Sequence, residues 1–171
     1  AIISISGISL THQEKKMFKK EKPWGVILFK RNILSEKQIK KLTFSIRKIM
    51  NDKKYPILID EEGGRVTRLS NILDNSMFNQ KYFGDLYSVN KKVGLAIYKN
   101  YIDTISIYLK ELGININTSP VIDLYYKKAD RIIGNRSYSK NPKVVNTLGN
   151  FCIKIFMKNN IASVIKHIPG H

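Results

Sequence analysis

Short apolar runs alternate along the chain with longer segments in which apolar residues recur at helical spacing. The apolar runs cover residues 2–5, 24–29, 56–60, 114–117 and 162–166, and residues 120–123 form the exit of the fourth. Continuous apolar runs of this length are typical of strands buried on both faces, and the segments between them are typical of amphipathic helices. The pattern predicts an α/β fold with five parallel strands.

Helix signals stand between these runs. Thr11 and Ser35 each open a capping box, an Asn-Pro pair starts a helix at Asn141, and Gly113 is a C-terminal stop. The predicted helices cover about residues 11–20, 35–50 and 91–112, and a fourth runs from 141 through at least 155. Residues 61–90 show little periodicity and are predicted to form a functional loop that packs on itself.

Two architectures fit five parallel strands: an open doubly wound sheet and a (β/α)8 TIM barrel. The glycine-rich phosphate loops that usually accompany a doubly wound sheet are missing, since neither G-x-G-x-x-G nor G-x-x-x-x-G-K-[ST] occurs. We therefore favour the barrel. Closure of a barrel needs eight strands, so we expect residues 1–171 to form one incomplete domain that covers about the first five βα units.

Composition narrows the class of protein. The chain has 171 residues, 43% of them hydrophobic, and carries one cysteine. Its longest apolar runs fall far short of the ~20 residues that a membrane span needs, and no secretory signal stands at the start. Cys152 lies in an apolar helical pattern, which indicates a buried structural thiol. These observations predict a cytoplasmic protein with no membrane association.

The net charge of +17 is the feature that most favours a nucleic-acid partner. The basic residues are mostly lysines, however, and they are scattered along a chain rich in isoleucine and asparagine. An AT-rich genome imposes that composition on any protein. We therefore expect no nucleic-acid partner.

Polar clusters follow three of the predicted strands, where parallel α/β folds place their active sites. The clusters are Asp60–Arg68, Arg131–Tyr138 and Lys166–His171. A carboxylate at a strand end accepts hydrogen bonds from sugar hydroxyls, an arginine presents a rigid fork, and a Lys-His pair can hold hydroxyl groups. The alternative is a set of loops whose charges satisfy one another.

A metal site is not expected in the last cluster. His167 and His171 stand four residues apart, a spacing that makes a ligand pair only on a helix. The intervening Pro169-Gly170 forbids a helix there.

Four sequence blocks in order resemble glycoside hydrolase family 3. The blocks are Gly25–Asn32, Asp60–Arg68, Gly134–Tyr138 and Lys166–His171. The Pro-Gly-His ending of the last block resembles the NagZ-type bacterial β-N-acetylglucosaminidases of that family. The resemblance implies a TIM-barrel, retaining β-N-acetylhexosaminidase that removes terminal β-linked N-acetylglucosamine from muropeptides during cytoplasmic peptidoglycan recycling, without a cofactor or metal.

The resemblance also implies roles for individual residues. Asp60 should bind sugar hydroxyls, Arg68 and Arg136 should contact the substrate, and Lys166 and His167 should hold the sugar at the floor of the barrel.

The residues of the reaction itself are expected elsewhere. In the resembled enzymes the acid/base and the nucleophile follow the position of His171, so no catalytic residue is expected within this chain, which should be inactive as given. Glu61 occupies a position that is often glutamine in such enzymes, and it should add a negative charge beside the site. A β-glucosidase or β-xylosidase of the same family and a non-catalytic carbohydrate-binding protein remain as alternatives.

Overall fold

A five-stranded parallel sheet organises the chain, whose computed structural model describes residues 1–126 and 132–171. Arg131, the first residue of one predicted cluster, lies outside the described residues. The strands are β1 (Ile2–Ile3), β2 (Gly25–Leu28), β3 (Ile57–Ile59), β4 (Ile116–Asn117) and β5 (Ala162–Ser163). The helices are α1 (His12–Glu21), α2 (Glu36–Met50), α3 (Gln80–Val89), α4 (Lys91–Glu111) and α5 (Pro142–Lys158), and short 3-10 turns span Lys30–Asn32 and Gly134–Arg136.

The strand order decides between the two predicted architectures. The strands pair in sequence order, β1-β2-β3-β4-β5, and every pair is parallel. A doubly wound sheet reverses its strand order at a switch point, whereas a barrel adds each strand beside the one before. The order is therefore that of a partial (β/α)8 barrel, as the sequence predicted.

The capping signals at the first two helices give different results. At α1 the box is complete, because Glu14 N donates to Thr11 Oγ1 at 3.1 Å and Thr11 N donates to Glu14 Oε2 at 2.8 Å. At α2 only half of the predicted box forms. Gln38 N donates to Ser35 Oγ at 3.3 Å, but the Gln38 side chain accepts from Leu34 N rather than from the N-cap. The start of α2 is nevertheless where the pattern placed it.

The prediction of one loop over residues 61–90 is wrong in its second half, where α3 forms. Asn79 caps this helix by accepting from Tyr82 N at 3.0 Å. The helix was hard to detect because Gly84, a poor helix former, occupies its middle. Gly84 is needed there, since a Cβ would lie 1.9 Å from the carbonyl oxygen of Tyr138.

The hydrophobic core lies between the sheet and the helices, and it contains the buried side chains of β2 and β3. The face of α4 that it covers includes Tyr98, Ile102 and Leu109, whereas Val93, in the first turn, is exposed. Cys152 is buried as predicted, and burial raises the pKa of its thiol to about 12. Within the described ranges, no helix is long and apolar enough to cross a lipid bilayer.

Candidate functional site

The carboxyl ends of β3, β4 and β5 bring a charged cluster together. The ammonium of Lys166, just after β5, lies 3.0 Å from Asp60 Oδ1 and 2.6 Å from Glu62 Oε1. It also donates to Thr118 Oγ1, after β4, at 3.1 Å. All three charged side chains are largely buried, with exposed fractions of 15% for Lys166, 18% for Asp60 and 1% for Glu62. One lysine therefore bridges two carboxylates at the floor of the site.

Asp60 is held as an ionised acceptor. Its Oδ1 accepts from the Thr118 hydroxyl and from Lys166, and its Oδ2 accepts from Arg68 Nη2 at 3.0 Å. Burial alone would raise the pKa of Asp60, but the hydrogen bond from Thr118 and the charge of Lys166 outweigh it and the pKa falls to about 2. The guanidinium of Arg68 also lies over the Phe29 ring, 5.6 Å from its centroid.

Glu62 forms a bidentate ion pair with Arg136. Nε of Arg136 lies 2.8 Å from Glu62 Oε2, and Nη2 lies 3.0 Å from Oε1. Arg136 ends the 3-10 turn Gly134–Arg136, and the hydrogen bonds of its guanidinium to Glu62 raise the pKa of Arg136. The fork geometry fixes the plane of the guanidinium as well as its position.

His167 is oriented by Asp123, which lies after β4. Its Nδ1 lies 2.7 Å from Asp123 Oδ2, and the same carboxylate accepts from the backbone N of His167 at 3.1 Å and of His171 at 2.8 Å. Burial opposes the ionisation of Asp123, but the hydrogen bond from His167 lowers its pKa. The other ring nitrogen, Nε2, faces Arg136 Nη2 at 3.5 Å. Because an arginine only donates, we assign the proton of the neutral ring to Nδ1 and leave Nε2 as an acceptor.

Glu61 lies beside the site as expected, but its side chain turns into the loop that follows β3. It is 2% exposed, and its carboxylate accepts from Arg68 N at 2.9 Å, Leu69 N at 3.1 Å and Asn75 Nδ2 at 2.5 Å. Burial raises the pKa of Glu61. The carboxylate thus holds the loop together and does not join the cluster around Lys166.

A cavity of about 300 Å³ opens beside His167. Its wall includes Asp123, Ile133, Pro169 and His171. This volume is at the lower end of the range for small-ligand pockets, ~300–1,000 Å³, and suits a ligand of about one sugar ring. Among the described residues, no group of three or more His, Cys, Asp or Glu side chains is arranged to hold a metal ion.

The five residues predicted to bind substrate all belong to this one network. Asp60 pairs with both Arg68 and Lys166, Glu62 links Lys166 to Arg136, and Arg136 faces His167. Their individual roles stay predictions.

The sequence assigned no individual role to three members of the network. They are Glu62, which lies within the predicted cluster Asp60–Arg68, and Thr118 and Asp123. Their sequence signal was only their place just after a strand, which they share with many polar residues that have no such contacts.

Comparison with known proteins assigns the chain to a glycosidase family. Residues 2–171 match the glycosyl hydrolase family 3 N-terminal domain, and the chain belongs to that family. Among curated proteins, the β-hexosaminidase of Stenotrophomonas maltophilia (strain K279a) is 31% identical over 170 residues, and that of Xanthomonas axonopodis pv. citri (strain 306) is 29% identical over 170 residues. Each alignment covers 99% of this chain and 50% of the relative, so the chain spans about half the length of these proteins.

Solved structures agree with the sequence matches. Native NagZ from Neisseria gonorrhoeae superposes with a TM-score of 0.90 at 28% identity, covering 100% of this chain and 49% of NagZ. The same enzyme in complex with N-trifluoroacetyl-D-glucosamine gives a TM-score of 0.89 at 28% identity, covering 100% of this chain and 51% of that one. A family 3 β-N-acetylglucosaminidase from Paenibacillus sp. str. FPU-7 gives 0.85 at 27% identity, covering 99% of this chain and 32% of the other.

Proposed function

We propose that this chain supplies the sugar-binding half of a glycoside hydrolase that removes terminal β-linked N-acetylglucosamine. The observation that carries the proposal is the bridge formed by Lys166 between Asp60 and Glu62 at the strand ends. The cellular substrate we propose is a muropeptide released during peptidoglycan recycling in the cytoplasm. The family 3 β-hexosaminidases to which the chain is similar support this choice of sugar.

The chemistry of the cluster suits adjacent sugar hydroxyls. The carboxylate of Asp60 only accepts hydrogen bonds and the ammonium of Lys166 only donates them, and the two lie 3.0 Å apart. A hydroxyl both donates and accepts, so neighbouring hydroxyls on one ring can bond to both groups at once. The Nε2 acceptor of His167 and the guanidinium of Arg136 add a further acceptor and donor at the side.

We propose that the acid/base and the nucleophile are supplied from outside these residues. A general acid must carry a proton near neutral pH. Asp60 and Asp123 both have lowered pKa values, and Glu62 is held by Arg136 and Lys166. The contacts of these carboxylates therefore favour binding roles over proton donation.

We propose that the chain forms the first five units of the barrel. Within the described residues β1 pairs only with β2 and β5 only with β4, so both outer edges of the sheet are available for further strands. The alignment to about half of each relative supports the same division.

The experiment joins residues 1–171 to the C-terminal half of Neisseria gonorrhoeae NagZ, and we call this the hybrid protein. We expect it to hydrolyse a chromogenic N-acetylglucosaminide, and the 171-residue chain alone to show no turnover. Asp60→Ala should abolish sugar binding by the hybrid protein, whereas Asp85→Ala, at an exposed acid of α3, should not. Asp85 is a matched control because it pairs with Lys81, which is not a member of the cluster.

Other outcomes identify the alternatives. A hybrid protein that melts cooperatively yet neither binds N-acetylglucosamine nor hydrolyses its glycosides contradicts the proposal. Faster hydrolysis of a glucoside or xyloside would assign the chain to another branch of the family. Turnover by the 171-residue chain alone would show that the catalytic groups have been misplaced.

A further inference from the structure

We propose that Glu61 is the positioning residue for Arg68: its buried carboxylate fixes the loop after β3 so that the guanidinium reaches Asp60. The inference rests on the proposed function, because Arg68 matters only if this cluster binds a sugar. The Glu61 carboxylate accepts from the backbone of Arg68 and Leu69 and from the Asn75 side chain, and it pairs with none of the charged groups around Lys166, so its effect on binding must pass through the loop.

Hydrogen bonds fix both the backbone and the side chain of Glu61. Its backbone N donates to Asn117 Oδ1 at 3.0 Å, and its carbonyl oxygen accepts from Asn117 Nδ2 at 2.8 Å, which ties the residue to β4. Its side chain accepts from the backbone of Arg68 and Leu69 through Oε2 and from Asn75 through Oε1. Glu61 therefore connects two separate parts of the loop to the carboxyl end of β4.

Arg68 depends on this attachment because its side chain is held by few contacts of its own. Nη2 bonds to Asp60 at 3.0 Å, and the guanidinium lies over Phe29. Its Nε is buried and has no hydrogen-bond partner among the described residues. The direction of the side chain is therefore set largely by the backbone of residue 68, which Glu61 holds at 2.9 Å.

The charge of Glu61 is the variable that an experiment can change. Burial raises the pKa of this carboxyl, so it takes up a proton at a higher pH than an exposed glutamate does. The titratable group that faces it from α4 is the phenol of Tyr101, whose pKa burial also raises and which stays neutral. Asp60 and Glu62, on either side of Glu61, are both turned toward Lys166. Arg65 and Arg68 follow in the loop, where Arg65 Nη2 donates to the carbonyl oxygen of Ile133 and Arg68 pairs with Asp60.

Glutamine is the substitution that separates charge from shape. The side-chain oxygen of Glu61→Gln can keep both backbone donors, while its new NH2 group would face Asn75 Nδ2. Asn75 can turn its amide to meet it, because Asn75 Oδ1 is buried and without a partner within the described part of the chain. Alanine offers no acceptor at all. We therefore expect Glu61→Gln to keep the loop in place and Glu61→Ala to release it.

The first test needs no sugar and uses the 171-residue chain. In a pH titration followed by amide NMR, the Arg68 and Leu69 signals should move together, with a midpoint above that of an ordinary glutamate. Glu61→Gln should remove this titration, and Asp74→Asn should not. Asp74 is a matched control because it is an exposed acid of the same loop whose carboxylate accepts from Ser76 N at 3.0 Å. Amide signals that still titrate in Glu61→Gln would overturn the inference.

The second test is a double-mutant cycle in the hybrid protein. Arg68→Ala should raise KM by ~10- to 100-fold, the effect of losing a hydrogen bond to a charged group. Glu61→Ala should raise KM to a similar extent, Glu61→Gln should restore most of it, and the Glu61→Ala/Arg68→Ala double variant should be no worse than Arg68→Ala.

The outcomes of the two tests are separable. If the fold-change in KM of the double variant equals the product of the two single fold-changes, Glu61 acts independently of Arg68, and the inference is wrong. A folded hybrid protein without activity would instead count against the proposed function, and the NMR titration would still decide whether Glu61 holds the loop.

Discussion

Replacing Lys166 by methionine tests the electrostatics of the cluster most directly. The lysine nitrogen lies 3.0 Å from an oxygen of Asp60 and 2.6 Å from an oxygen of Glu62. Those two oxygens are therefore less than ~6 Å apart, and without the ammonium they repel each other by about 3 kcal/mol at an effective dielectric constant of ~20. Because Glu62 keeps Arg136, we expect Lys166→Met to lower the free energy of unfolding by ~2–4 kcal/mol at neutral pH.

The stability difference between Lys166→Met and the parent chain should depend on pH. In the parent chain the pKa of Asp60 is about 2, below its unfolded value, so its contribution to stability is present above pH ~4 and is lost as the pH falls toward 2. In Lys166→Met, Asp60 keeps its hydrogen bonds from Thr118 and Arg68 but loses the charge and the hydrogen bond of Lys166, so its pKa should rise from the parent value. The folded variant should then take up a proton at a higher pH than the folded parent, so the stability difference between the two should narrow as the pH falls.

Urea unfolding, followed at neutral pH and in mild acid, measures this difference. Lys154→Met is the matched control, since Lys154 is an exposed lysine of α5, and its effect should stay within ~0.5 kcal/mol. A loss below ~1 kcal/mol for Lys166→Met, or a loss that does not change with pH, would refute the proposed repulsion between Asp60 and Glu62.

Three further predictions concern the site and the core. In the hybrid protein, Arg136→Ala should weaken transition-state binding by ~1.5–3 kcal/mol, measured as a lower kcat/KM, and an unchanged kcat/KM would remove Arg136 from the site. Gly84→Ala should destabilise the chain by ~1–3 kcal/mol in urea unfolding because its Cβ would meet the Tyr138 backbone, whereas Gly7→Ala, with nothing within 4 Å, should not. Cys152 should resist thiol reagents until the chain unfolds, because burial raises its pKa to about 12; rapid labelling of the native chain would contradict this.

The sequence predicted the centre of the sheet well because its middle strands are buried on both faces. Such strands need apolar residues at every position, as in Ile57–Ile59, so they stand out without knowledge of their neighbours. The helix α3 was missed because its burial depends on contact with distant chain. Gly84 is required because the backbone of Tyr138 leaves no room for a Cβ, and this contact cannot be seen in the local sequence.

The site was predictable only in part, for a related reason. The place of three polar clusters after strands marks them as candidates, and the resemblance to family 3 supplied the roles of individual residues. Two partners of Asp60, Thr118 and Lys166, are 58 and 106 residues away in the chain. Only the pairing of β3 with β4 and of β4 with β5 makes them neighbours, and that pairing is not written in the spacing of residues.

The charge balance of the cluster is compatible with the neutral sugar that we propose as its ligand, although the chain is strongly basic. The cations Arg68, Lys166 and Arg136 are each paired with Asp60 or Glu62. A phosphate at this place would compete with carboxylates that already hold the cations, whereas a hydroxyl can bond to a paired donor and acceptor without separating them. The net charge of +17 therefore belongs to the rest of the chain, and the selectivity that we propose for this cluster would follow from the arrangement of its paired donors and acceptors.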